Sequence, residues 1–354
     1  MRPLIATIDL ARLRANYITL KQLHGQRLLA VLKADAYGHG AVACARALQD
    51  LADGFAVACL EEAVSLRQAG ISGPIVLLEG VFEAAEYAEV AALDLWPVVQ
   101  NQWQLAAFLA HPWPQPVTVW LKMDSGMHRA GFDPADYAAA HAQLTASAAV
   151  AEVVKMSHFA CADVPDDPMT AQQIQCFDAA SAHLPGRSSL ANSAAILAHP
   201  AACRDWGRAG LALYGVSPLG EVDSRLQAVM RLQTRVFGER HLAVGEAIGY
   251  GATFRTEVPT RVGLIACGYA DGYPRLASTG SPVLIDGHAS RVIGRVSMDM
   301  MTVELNQPEQ GLGSMVELWG DGVPVQAVAA QAGTIAYELL THLKRAQRCY
   351  VTAD

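Results

Sequence analysis

Between Leu28 and Tyr214 the chain repeats one unit, an apolar run of strand length followed by a helical pattern. The runs are Leu28 to Leu32, Gly54 to Ala58, Pro74 to Leu78, Leu95 to Val99, Val117 to Lys122, Val150 to Lys155 and Ser188 to Ala191, with a last weak strand or turn near Trp206 to Tyr214. Helical patterns lie between them, among them Ala41 to Leu48, Glu61 to Gln68 and Pro134 to Leu144. A shorter strand, Leu4 to Leu10, and a helix, Ala11 to Leu23, precede the series. Continuous apolar runs are buried on both faces, as in parallel sheets. About eight strand-helix units in roughly 200 residues is the size of a (β/α)8 barrel of the TIM type. An open doubly wound sheet is the runner-up, weakened because no GxGxxG follows a first strand.

After about Leu226 the texture changes. Strands separated by Gly and Pro turns dominate: Met230 to Phe237, Arg261 to Cys267, Pro282 to Ile285, Ser290 to Val296, Met300 to Leu305 and Met315 to Trp319. Val325 to Ala332 and Ile335 to His342 return to helix. The expected organisation is an α/β barrel over 1–225 and a mostly β domain over 226–354, packed together because no low-complexity linker separates them. The chain is 52% hydrophobic with a net charge of -8 and no basic run, which disfavours nucleic acid as a partner. Its seven cysteines show no CxxC pair, which points to reduced thiols rather than a disulfide framework or zinc site. Asp9 and Arg12 interrupt the only apolar run near the start, and no apolar stretch is long enough to span a bilayer. A soluble cytoplasmic protein is expected.

Chemistry in such barrels gathers at the carboxyl ends of the strands. The first repeated strand ends in Lys33, with Tyr37 just beyond in a glycine-flanked loop. A lysine there is partly desolvated, which lowers its pKa and frees the amine as nucleophile or base. Such an amine suggests a Schiff base with an aldehyde cofactor, most commonly pyridoxal phosphate. The other ends deliver Lys122 with Asp124, Gly126 and Arg129, then His158, then Asn192 and Ser193, and last Arg208 and Gly210. Phosphate is commonly bound after the last two strands, where Ser193 and Gly210-Leu211 lie. Taken singly, each has a plainer reading: a snorkelling Lys33, a core His158, an ion-paired Arg208, and Ser193 as a helix N-cap. Their convergence is the stronger signal. In the second domain Gly249-Tyr250-Gly251 sets a tyrosine between glycines, and Tyr337 sits on a late helix. No HxxxH or HExxH helix is present, so no metal is assigned.

Six dispersed stretches, in order, resemble the alanine racemase family of fold-type III pyridoxal phosphate enzymes. Val31-Leu32-Lys33-Ala34-Asp35-Ala36-Tyr37-Gly38-His39-Gly40 resembles the cofactor-attachment motif. Lys122-Met-Asp-Ser-Gly-Met-His-Arg129-Ala-Gly131 resembles KxDTGMxRxG, with Ser125 for threonine. Trp206-Gly-Arg208-Ala-Gly210, Gly249-Tyr250-Gly251, Gly268-Tyr269-Ala-Asp-Gly-Tyr273 and Ser297-Met298-Asp299 complete the set. Ser297 stands where some relatives have cysteine. The resemblance implies pyridoxal 5'-phosphate on Lys33 and interconversion of L- and D-alanine by two bases, Lys33 for the D-isomer and Tyr250 for the L-isomer. It implies a homodimer with shared sites, Tyr250 coming from the other subunit. It further implies that Arg208 faces the pyridine nitrogen and His158 holds Arg208, with Asn192 also in the cofactor site. Tyr37, Ser193, Gly210, Leu211 and Tyr337 would bind phosphate. Arg129 and the Met298 backbone would hold the substrate carboxylate, and Asp163, Tyr269, Arg275 and Arg295 would line the entry. Lys122 matches a position carbamylated in many relatives.

A broader amino-acid racemase acting on serine, lysine or arginine would share these motifs. A pyridoxal phosphate carrier protein would resemble the barrel alone and lack the Tyr250 segment. A decarboxylase of the same fold type would place a carboxylate where Arg208 stands.

Overall fold

The structure is a computed structural model and describes residues 2–277 and 279–352. The chain opens with β1 (Ile5–Asp9) and a helix, Leu10–His24, capped at its start by the Asp9 carboxylate. Eight parallel strands follow: β2 (Arg27–Val31), β3 (Gly54–Val57), β4 (Ile75–Leu77), β5 (Trp96–Val99), β6 (Val117–Lys122), β7 (Val150–Met156), β8 (Ser188–Ser189) and β9 (Trp206–Ala209). They pair in the order β8-β7-β6-β5-β4-β3-β2-β9. The ring is nearly closed between β8 and β9, where Arg208 N donates to Ala191 O at 2.9 Å. Four of the five residues of β2 and all four of β3 are buried, as two-sided burial requires. Trp206 on β9 meets Trp96 on β5 with ring centroids 6.0 Å apart. These strands are not neighbours, so the contact crosses the barrel interior and fills it.

The remaining strands are β10 (Met230–Leu242), β11 (Ala247–Ile248), β12 (Phe254–Arg255), β13 (Thr260–Ile265), β14 (Pro282–Ile285), β15 (His288–Arg291), β16 (Met301–Leu305), β17 (Met315–Trp319) and β18 (Gln347–Val351). All but the β11–β12 hairpin join a second sheet, ordered β15-β14-β17-β10-β1-β18, with β13 paired to β10 and β16. β10 shifts register between Val236 and Gly238, and that bend lets one strand serve both β17 and β13.

Three expectations need correction. The stretch Leu4 to Leu10, assigned with residues 1–225 to the barrel, is no stave: β1 pairs antiparallel with β10 and parallel with β18. Its pattern explains why, because Ala6 and Ile8 are buried while Ile5, Thr7 and Asp9 are half-exposed. That alternation suits a sheet with one covered face. The strand expected over Ser290 to Val296 is β15, ending at Arg291. β18 was not anticipated at all. No helix among the described residues is long and apolar enough to cross a membrane.

Candidate active site

Lys33 follows β2 directly and opens a turn of unusual hand. Ala34, Asp35, Ala36 and Tyr37 all have positive φ, between 51° and 55°. For L-residues this region is disfavoured, so the surroundings must impose it. Glu62 does part of this, one oxygen accepting from Ala34 N at 2.7 Å and the other from Ala58 N at 2.8 Å. Asp35 Oδ1 accepts from Ala41 N at 2.8 Å, and Asp35 Oδ2 lies 2.6 Å from Arg348 Nη1. Gly38 N donates to Ala34 O and Gly40 N to Asp35 O. Burial pulls the Lys33 ammonium below its ordinary value, and Arg129 and then Arg208 pull the same way, while Glu79 and Glu62 oppose them.

Arg208, at the third position of β9, is buried and makes no ion pair among the described residues, so the ion-pair reading of it does not hold. Carbonyls hold it instead. Nη1 donates to Ser189 O at 3.0 Å and Ser189 Oγ at 2.5 Å, and Nη2 donates to Ser157 O at 2.8 Å and Leu190 O at 3.1 Å. Nη2 also reaches His158 Nδ1 at 3.4 Å. Burial lowers the guanidinium to about 10, which leaves it charged at neutral pH. Burial and the cations Arg208, Arg129, Lys122 and Lys33 drive the His158 imidazole well below its usual value, so it is neutral.

Beyond the carboxyl ends of β8 and β9, Ser193 Oγ accepts from Gly210 N at 2.8 Å and from Ala212 N at 3.3 Å. The N-cap of the following helix is Asn192, whose Oδ1 accepts from Ala195 N at 3.0 Å, so the capping role read for Ser193 belongs to its neighbour. A Cβ on Gly210 would fall 2.7 Å from the Tyr37 hydroxyl and 3.8 Å from Ser193 Oγ. Only glycine leaves that cradle open. Burial raises the Tyr37 phenol and takes that of Tyr337 to about 12, so both remain protonated donors. Two phenols, a serine hydroxyl and loop amides suit a dianion such as a phosphate monoester.

Lys33, Tyr37, Lys122, Arg129, His158, Asn192, Ser193, Arg208, Gly210, Leu211 and Tyr337 line one cavity of about 630 Å³ at the carboxyl ends of the barrel strands. Burial, Arg129, Arg208 and Lys33 lower the Lys122 amine to about 8. Glu79, Phe82, Gln100 and Ile335 share the wall, and sequence reasoning had not singled them out.

Six expected residues lie outside this cavity. Tyr250 is 71% exposed on the second domain, with Gly249 and Gly251 both at positive φ. Arg295 rests against it, its Nη1 3.0 Å from where a Gly251 Cβ would be. The Met298 side chain is exposed, and its carbonyl accepts from Ala270 N at 2.9 Å, which ties it to the Tyr269 turn. Tyr269 and Arg275 line a separate hollow that shares Thr334, Glu338 and His342 with one opening beside Lys33. Asp163 is exposed and close enough to Tyr337 to raise its phenol.

Comparison with known proteins gives this arrangement a context. Residues 8–218 match the alanine racemase N-terminal domain and residues 229–350 the alanine racemase C-terminal domain. An alanine racemase of Neisseria meningitidis serogroup C is 62% identical over 351 residues, covering 99% of this chain and all of that one. The crystal structure of a biosynthetic alanine racemase from Pseudomonas aeruginosa superposes with a TM-score of 0.96 at 49% identity, covering 99% of this chain and 100% of that one. A Bartonella henselae alanine racemase, solved with covalently bound pyridoxal phosphate, superposes at 0.91 with 31% identity, covering 99% of this chain and 100% of that one. Matched in both domains and along nearly its whole length, the chain belongs to the alanine racemase family.

Proposed function

We propose that the protein interconverts L- and D-alanine with pyridoxal 5'-phosphate carried on Lys33. The observation that carries this reading is one cavity holding a lysine of lowered pKa, a buried arginine and a glycine-floored dianion cradle. When bound, the cofactor supplies an aldehyde for amine condensation and a ring that accepts electron density from the substrate α-carbon. Tyr37, Ser193, Gly210, Leu211 and Tyr337 would hold its phosphate, and Asn192 completes the wall. Arg208 would face its pyridine nitrogen. A guanidinium gives up no proton, so Arg208 would leave that nitrogen unprotonated and favour reprotonation at the α-carbon over other outcomes.

Racemisation needs a base on each face of a planar carbon. Lys33 serves one face, taking the proton of the D-isomer. Tyr250 of a second copy of the chain serves the other, taking that of the L-isomer. Its exposure on the second domain, away from its own Lys33 cavity, supports a site completed by a homodimer. Arg129 and the Met298 backbone hold the substrate carboxylate, while Asp163, Tyr269, Arg275 and Arg295 line the approach. At a pKa of about 8, part of Lys122 is the neutral amine that carbon dioxide requires. As a carbamate it would turn from repelling Arg129 to bracing it.

The test is L-alanine turnover in deuterated water with the absorbance spectrum of the same sample. D-Alanine with α-deuterium and a near-visible cofactor band is the expected result. A band without exchange on alanine would overturn the substrate and send the assay to serine, lysine and arginine.

A further inference from the structure

The bonds that hold His158 and Arg208 run back to one buried side chain outside the cavity. Gln173, on the helix Met169–Ser181, is 1% exposed. Its Oε1 accepts from Ala160 N at 2.9 Å, and its Nε2 donates to His158 O at 3.0 Å and reaches Ser125 Oγ at 3.5 Å. One amide thereby grips the loop leaving β7 at two backbone points two residues apart. Ser125 and Ser157 hydroxyls lie 2.7 Å apart, and Ser157 Oγ donates to Met123 O at 2.9 Å. The carbonyl of the same Ser157 accepts from Arg208 Nη2. The path from Gln173 to the guanidinium is therefore short and made of hydrogen bonds between buried or half-buried groups.

We propose that Gln173 is a positioning residue for racemisation: by clamping the backbone from His158 to Ala160, it fixes the imidazole and the carbonyl seat of Arg208. The inference rests on the function proposed above. Only glutamine offers an acceptor and a donor at that reach, so an apolar residue of similar volume fills the space and holds nothing. The distances decide where the effect falls. The grip on the His158 loop is tight, whereas the reach to Ser125 is at the limit of a hydrogen bond. Arg208 and His158 depend on Gln173 more than the Arg129 loop does.

The test compares wild-type holoenzyme with Gln173→Met and Gln173→Glu. Four quantities are read: kcat in both directions, KM for alanine, affinity for added pyridoxal phosphate by absorbance titration, and amide exchange over residues 157–160. In Gln173→Met kcat should fall roughly tenfold to hundredfold, as loss of alignment does. KM should stay within about twofold, because the carboxylate site is not what moves. Cofactor affinity should weaken, and exchange should speed up in that segment alone. Gln173→Glu keeps the acceptor for Ala160 N and should fall between. Faster local exchange with wild-type kcat and cofactor affinity would overturn the proposal, leaving Gln173 a merely structural residue. If Gln173→Met does not fold, wild-type kcat in Gln173→Glu at a pH where the new carboxyl is ionised would overturn it equally, because a carboxylate donates nothing to His158 O. A wild-type protein inactive on alanine would instead remove the function beneath it.

Discussion

At the scale of residues, the candidate site concentrates positive charge that the protein leaves largely unneutralised. Lys33, Lys122, Arg129 and Arg208 face one cavity, and burial and the two arginines hold both lysines down. Such a field is costly for an empty protein and favourable for a dianion with a carboxylate beside it. Gly210 is where this can be tested most sharply. Gly210→Ala would set a methyl 2.7 Å from the Tyr37 hydroxyl, within the space proposed for phosphate. Affinity for pyridoxal phosphate should fall by about tenfold or more, the value of a lost charge-assisted bond. Fluorescence titration measures it, and wild-type affinity would mean the phosphate sits elsewhere. Lys33, His158, Ser193 and Arg208 were legible because a polar group ending an apolar run stands out. What holds Arg208 was not. Its acceptors include the backbone carbonyls of Ser157, Ser189 and Leu190, and a carbonyl has no letter in a sequence.

At the scale of elements, the lysine turn carries the most strain. Each L-residue in the left-handed region costs roughly 1–2 kcal/mol, and four stand in a row. Gly38 and Gly40 could be flagged from sequence because glycine marks tight backbone. Nothing in Ala34 or Ala36 announces a reversed hand, since alanine is a helix former of the ordinary kind. The turn exists because Glu62 and Arg348 grip it from outside and its own Asp35 ties it to Ala41 N. Gly38→Ala should break it: φ there is +81°, and the added Cβ would lie 2.1 Å from Leu340 O. A loss of at least about 2 kcal/mol in denaturant unfolding is expected, with loss of the cofactor band. A variant of unchanged stability that keeps the band would show the turn to be adaptable. Seven of the barrel strands were read to within two residues because two-sided burial leaves continuous apolar runs, whereas β9 was expected only as a weak strand or turn near Trp206 to Tyr214. β1 was grouped with residues 1–225 by its place in the chain alone. Its five residues fit either layer until its partners β10 and β18 are known, and those lie far along the chain.

At the scale of the whole molecule, the two domains carry different halves of the proposed chemistry. Lys33 belongs to the barrel and Tyr250 to the second domain. If the two meet only across a dimer, inactive Lys33→Ala and inactive Tyr250→Phe chains should rescue one another when unfolded and refolded together. Half of randomly paired dimers are mixed, and each keeps one intact site, so about a quarter of wild-type activity should return. No recovery, with dimers formed, would show that Lys33 and Tyr250 of one chain serve the same site. The second sheet has a further consequence, in the order of synthesis. β1 leaves the ribosome before every barrel strand, and β18, its parallel neighbour, after them all. All eight barrel strands have been made while that edge of the sheet still waits. β18 also brings Arg348 to Asp35 and the Tyr350 hydroxyl against Gly40. A chain released before Gln347 therefore carries every reactive side chain named above, yet lacks the final clasp on its lysine. The turn that carries Lys33 thus takes its final clasp from a strand made after the whole barrel and the rest of the second sheet.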